Sequence, residues 1–72
     1  MIIYNVNILA ELSEKGYSQY RIRKENVLPE SVMIRLRRKE PITFSSLDKI
    51  CAILECQPGD LISWIPEKEQ GD

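Results

Sequence analysis

Arg21, Arg23, Lys24, Arg35, Arg37, Arg38 and Lys39 crowd the middle of the chain, against two acids, Glu25 and Glu30. Guanidinium and ammonium groups at this density recognise phosphate, and one guanidinium can grip a guanine edge through two parallel hydrogen bonds. Residues 18–39 carry +5, whereas residues 1–17 carry −1 and residues 40–72 carry −5. The net charge of −1 therefore hides a basic centre and an acidic remainder. Such a distribution draws a polyanion to one face and repels it from another. Taken alone, charge runs are as often solvated helical surface.

Other chemistry has little to work with. The chain has no histidine, the commonest acid–base residue. It has no glycine-rich phosphate loop and no nucleophile elbow. The nearest pair of acids, Glu67 and Glu69, falls in the polar end of the chain. Cys51 and Cys56 fall short of a zinc set. Spaced five apart on an expected helix, they should point away from each other. They read as small apolar packing residues in a reducing cytoplasm. No enzyme activity, metal or cofactor is expected. No run is long or apolar enough to span a membrane, and Met1–Asn5 lacks the lead-in of a signal peptide.

The elements that must position the basic residues are short. A chain of 72 residues is one domain, and at this size only about 60% of the unfolded surface is buried. Met1-Ile2-Ile3-Tyr4 has the bulk and β-branching of a short strand. Asn5 is a cap candidate for a first helix over about 6–15, with Ile8, Leu9 and Leu12 inward and Gly16 as its stop. Ser18 caps a second helix, about 19–26, around Ile22. Tyr17 and Ile22 stand at the positions of a hydrophobic staple. Pro29 breaks the chain and opens a third helix over about 29–38, with Met33 and Leu36 inward. Thr43 or Ser45 caps a fourth, whose stripe is Leu47, Ile50, Cys51 and Leu54. Pro58 starts a fifth, which carries Leu61, Ile62, Trp64 and Ile65 until Pro66 halts it. Residues 67–72 have nothing to bury and are expected to be disordered.

Two short helices around a tight turn, with helices on both sides, make a helix-turn-helix arrangement. The residues Ser18-Gln19-Tyr20-Arg21-Ile22, Arg35-Leu36, Lys39-Glu40-Pro41-Ile42-Thr43, Leu47-Asp48-Lys49-Ile50-Cys51 and Cys56-Gln57-Pro58-Gly59-Asp60-Leu61-Ile62 resemble the Cro/CI-type, phage-repressor-like helix-turn-helix family. Small bacterial regulators that open with a strand-like tetrapeptide look most similar. The resemblance covers about residues 2–66. It implies an all-α, five-helix lambda-repressor-like domain over 1–66, with a short N-terminal strand. It also implies binding of double-stranded DNA, usually as a homodimer, through the third helix in the major groove.

Carried onto this sequence, the resemblance puts Gln19 near phosphate and the first base. It puts Glu30, Ser31, Val32 and Arg35 at base edges. Arg35 suits guanine and Val32 a thymine methyl, while Arg21, Arg38 and Lys39 suit phosphate. Four positions depart from the family pattern. Val27 stands for the turn glycine, so either strain or a turn of another shape is expected there, and Val27→Gly should be tolerated or stabilising. Arg23 stands for a small residue, Pro29 for a Ser or Thr cap, and Ile34 for a polar surface residue. The competing reading is a protein-interaction module on the same scaffold, an antitoxin or co-regulator meeting its partner through Ile34 or Trp64. A homodimer is expected from the small core and from the edge of Met1–Tyr4, which can pair with another copy or with Ile62–Ile65.

Overall fold

The computed structural model describes residues 1–66; the tail expected to be disordered, 67–72, lies outside them. Five helices and a two-stranded ribbon follow in the order β1 (Ile2–Tyr4), α1 (Ile8–Glu14), α2 (Gln19–Lys24), α3 (Glu30–Arg38), α4 (Phe44–Leu54), α5 (Pro58–Leu61) and β2 (Ile62–Trp64). The helices close on one core. Leu12, Ile22, Met33 and Ile50 are fully buried in it, with Ile8, Leu28, Val32, Leu36, Leu47, Leu54 and Leu61 around them. Among the described residues no helix is long and apolar enough to cross a membrane.

Local chemistry sets the helix starts. The Asn7, Ser18 and Thr43 side chains each accept from the backbone N–H three residues on, at 3.2 Å, and so satisfy an amide left free by the first turn. The first cap is Asn7 and not Asn5. The Asn5 amide donates to the Leu61 carbonyl at 2.7 Å, so Asn5 continues the ribbon and cannot open a helix. Pro29 is likewise a cap and not the first residue of α3. Its extended backbone (ψ 152°) leaves its carbonyl to accept from Val32 and Met33.

One device ends α1 to α4. Gly16, Asn26, Lys39 and Glu55 have φ of +92°, +53°, +60° and +54°. Beyond each, an amide reaches back five residues: Tyr17 to Leu12, Val27 to Ile22, Glu40 to Arg35 and Cys56 to Cys51. This is the Schellman termination, in which the two bonded residues also come into side-chain contact. It corrects two expectations. The left-handed residue after α2 is Asn26, one place before Val27, so α2 ends at Lys24 and Val27 is unstrained and packs on the core. Cys56 lies beyond the helix, and the turn carries it back to Cys51; burial and then the neighbouring Cys56 push the Cys51 thiol up.

The fifth helix is also shorter than expected. After one turn the chain extends and pairs antiparallel with β1, Ile2 opposite Trp64 and Tyr4 opposite Ile62. Met1 and Ile65 exchange both backbone bonds at 2.8 Å. Of the two pairings expected for the N-terminal strand, the one within the chain is formed.

Candidate nucleic-acid interface

The first turn of α3 brings Glu30 and Ser31 to the surface, and one turn later Arg35 is exposed on the same helix. The intervening Val32 is not: it is 8% exposed and belongs to the core. Its remaining surface nevertheless lines the same cleft as Ser31 and Arg35. The burial follows from helical spacing, since Val32 and Leu36 lie on one face four apart. Ile34, expected at the surface, is half-buried, while Trp64 is 66% exposed.

Ser31 and Arg35 line one cleft of about 370 Å³ with Pro41 and Thr43. One Arg35 N–H donates to the Pro41 carbonyl at 3.3 Å, a long bond that steadies the guanidinium without consuming it. Gln19 lies elsewhere, in a cleft with Ser18, Arg37 and Lys39 between α1, α2 and α3. Arg38 is exposed at the end of α3. Among the described residues no carboxylate pairs with Arg35, Arg38 or Lys39.

Other charges are already engaged. Arg21 donates to Glu25 at 2.9 Å and to the Gly16 carbonyl at 3.1 Å, and its guanidinium sits 4.4 Å from the Tyr17 ring centre. It thus braces the α1–α2 turn. Glu30 accepts from Arg23 at 2.7 and 3.3 Å, and Arg37 stands 3.9 Å away. The Arg23 hydrogen bond, opposed by burial and reinforced by the charges of Arg23 and Arg37, holds the Glu30 carboxyl below its usual range. Arg23, at a position expected to be small, therefore ties α2 to the start of α3.

Sequence reasoning missed three residues of this surface. Arg23 and Arg37 neutralise Glu30 from two sides, and Thr43 closes the Ser31–Arg35 cleft. Thr43 was legible only as a helix cap, because its place beside Arg35 depends on how the α3–α4 connection folds. The arrangement offers a helix with a short hydroxyl, a guanidinium able to form paired bonds, and cations at its C-terminal end. These groups suit a base edge flanked by phosphates.

Comparison with known proteins agrees with a helix-turn-helix domain. The "Uncharacterized HTH-type transcriptional regulator YozG" of Bacillus subtilis (strain 168) is 24% identical over 70 residues, an alignment that covers 97% of this chain and 83% of that one. No solved structure matches the chain. The sequence pattern of the Cro/C1-type HTH DNA-binding domain matches residues 7–67, from the cap of α1 to beyond the ribbon, and the chain belongs to that family.

Proposed function

We propose that this chain is a sequence-specific transcriptional regulator that lays α3 in the major groove of double-stranded DNA. Ser31 and Arg35 read base edges there, and Gln19, Arg38 and Lys39 hold phosphates. Glu30, neutralised by Arg23 and Arg37, sits at the groove wall without repelling the backbone, and Arg21 supports the fold. The observation that carries this reading is the exposure of Ser31 and Arg35 in one cleft of α3, with Arg38 and Lys39 beside it and no carboxylate on any of these cations among the described residues.

The test is a mobility-shift assay of the purified protein on genomic fragments at low salt. A retarded complex that resists excess random DNA is expected. Absence of any complex at low salt would sink the proposal and leave the protein-interaction reading, whose support is the apolar surface around Phe44 and Trp64.

A further inference from the structure

The turn that ends α4 carries chemistry that the other helix ends do not. Its left-handed residue is Glu55, with φ of +54°, and beyond it the Cys56 amide donates to the Cys51 carbonyl at 3.1 Å. The same turn joins Leu12 to Tyr17 and Ile22 to Val27, apolar pairs of the kind this termination favours. After α4 the two facing residues are thiols, the only cysteines of the chain. Had α4 run on, residues five apart would stand roughly 7–8 Å apart along its axis and point to different sides. That exceeds the Cα spacing of about 4.4–6.8 Å that a disulfide spans. The left-handed residue instead folds Cys56 back, and its thiol hydrogen-bonds that of Cys51. Both side chains are free, half-buried and packed against the core. A small solute can reach them while the turn holds them together.

We infer that Cys51 and Cys56 form a reversible modification site, a dithiol that a small peroxide converts to a disulfide across the end of α4. One thiolate attacks the O–O bond. Its sulfur takes one oxygen as a sulfenic acid, and the other oxygen leaves with the bonding electrons and picks up a proton. The second thiol then attacks the sulfenic sulfur, loses its proton and expels hydroxide, and the two combine as water. Sulfur is oxidised and peroxide oxygen is reduced; two thiols and hydrogen peroxide become one disulfide and two waters. Two observations favour this product over a captured metal ion. Burial, the adjacent Cys56 and the charges of Asp48 and Asp60 keep the Cys51 thiol protonated; a disulfide is neutral, whereas a metal ion must be held by thiolates. Among the described residues no group of three or more histidines, cysteines and acids could hold a metal. Neither cysteine lines the Ser31–Arg35 cleft, so this chemistry is independent of the DNA reading.

The test uses the full chain, reduced, freed of reductant and treated in native buffer with a small molar excess of hydrogen peroxide. The expected product is a monomer on non-reducing electrophoresis, lighter by two hydrogen atoms and without a free thiol, and dithiothreitol should reverse it. It should melt above the reduced chain, because the cross-link closes a turn that the fold already makes. Dimedone added with the peroxide should trap a sulfenic acid in Cys51→Ser or in Cys56→Ser, each checked for native circular dichroism. Survival of both thiols, or gain of oxygen without loss of hydrogen, overturns the inference. So does a bond formed only between chains, or trapping in neither variant. An oxidised chain that melts below the reduced one overturns it as well, since the sulfurs would then have been forced together against the fold.

Discussion

Arg35 is the side chain on which base choice is proposed to rest. Its bond to the Pro41 carbonyl is long and can be exchanged for a base acceptor at small cost. Arg35→Ala should weaken binding to a selected site by roughly 1–3 kcal/mol and relax the preference at one base position. Quantitative binding to selected and random duplexes checks this; an equal loss on both would make Arg35 a phosphate contact. At Asn26 and Val27 the issue is backbone shape. Asn26 has φ of +53°, a region that costs a non-glycine residue about 1–2 kcal/mol. Asn26→Gly should therefore keep or raise the melting temperature. Val27→Gly, expected from sequence to be tolerated, should lower stability by roughly 1–2 kcal/mol through lost packing and added chain freedom. Denaturant titration separates the two. The sequence marks one left-handed position openly, Gly16. Asn26 carries a weaker mark, since asparagine tolerates that region better than most residues, while Lys39 and Glu55 carry none.

Between elements, the link from α2 to α3 runs through Glu30. Its carboxyl is held below the ordinary value of 4.5 by Arg23. A group depressed on folding stabilises the fold fully above its unfolded value, and that stabilisation disappears as the pH falls through the folded one. Thermal melts taken downward through the carboxylate range should show a loss that Glu30→Gln reduces, with the mutant already lower at neutral pH. An unchanged pH profile in the mutant would mean that the pair adds nothing to the helix angle. The starts of α2 and α4 were legible because caps act over three residues and Ser18 and Thr43 work as their types suggest, whereas Asn5 and Pro29 misplaced those of α1 and α3. The end of α5 was not legible either. Ile62 and Trp64 suit a helix or a strand, and their partners Tyr4 and Ile2 are some sixty residues away. The Arg23–Glu30 pair was hidden for a similar reason, since its seven-residue separation becomes a contact only through the turn between the helices.

For the whole molecule, the charge that counts for DNA is smaller than the sequence suggests. Of the seven cations in residues 18–39, Arg21, Arg23 and Arg37 already face carboxylates. Lys24, Arg35, Arg38 and Lys39 remain. Each phosphate neutralised contributes about −0.9 to the slope of log affinity against log salt, so with Arg35 on a base edge each domain should show a slope of roughly −2 to −3. A slope of roughly −5 would mean that the ion pairs open on DNA. The net charge of −1 gives no guide to this number; the pairing pattern does. Family and helix count were legible from local periodicity and quoted segments, while the division of the arginines between fold and ligand was not.

The ribbon joins the first strand of the chain to the last described one, and that sets an order of assembly. Contacts within the helix-turn-helix unit span few residues, whereas β1 must wait for β2, the most distant partner in the described chain. Closing the longest loop carries the largest entropy cost, so the ribbon should form after the helices have packed. During synthesis β1 leaves the ribosome before all five helices and has no partner strand until β2 follows. Over that interval the apolar strand Ile2–Tyr4 is unpaired on an emerging chain and open to premature association until β2 arrives.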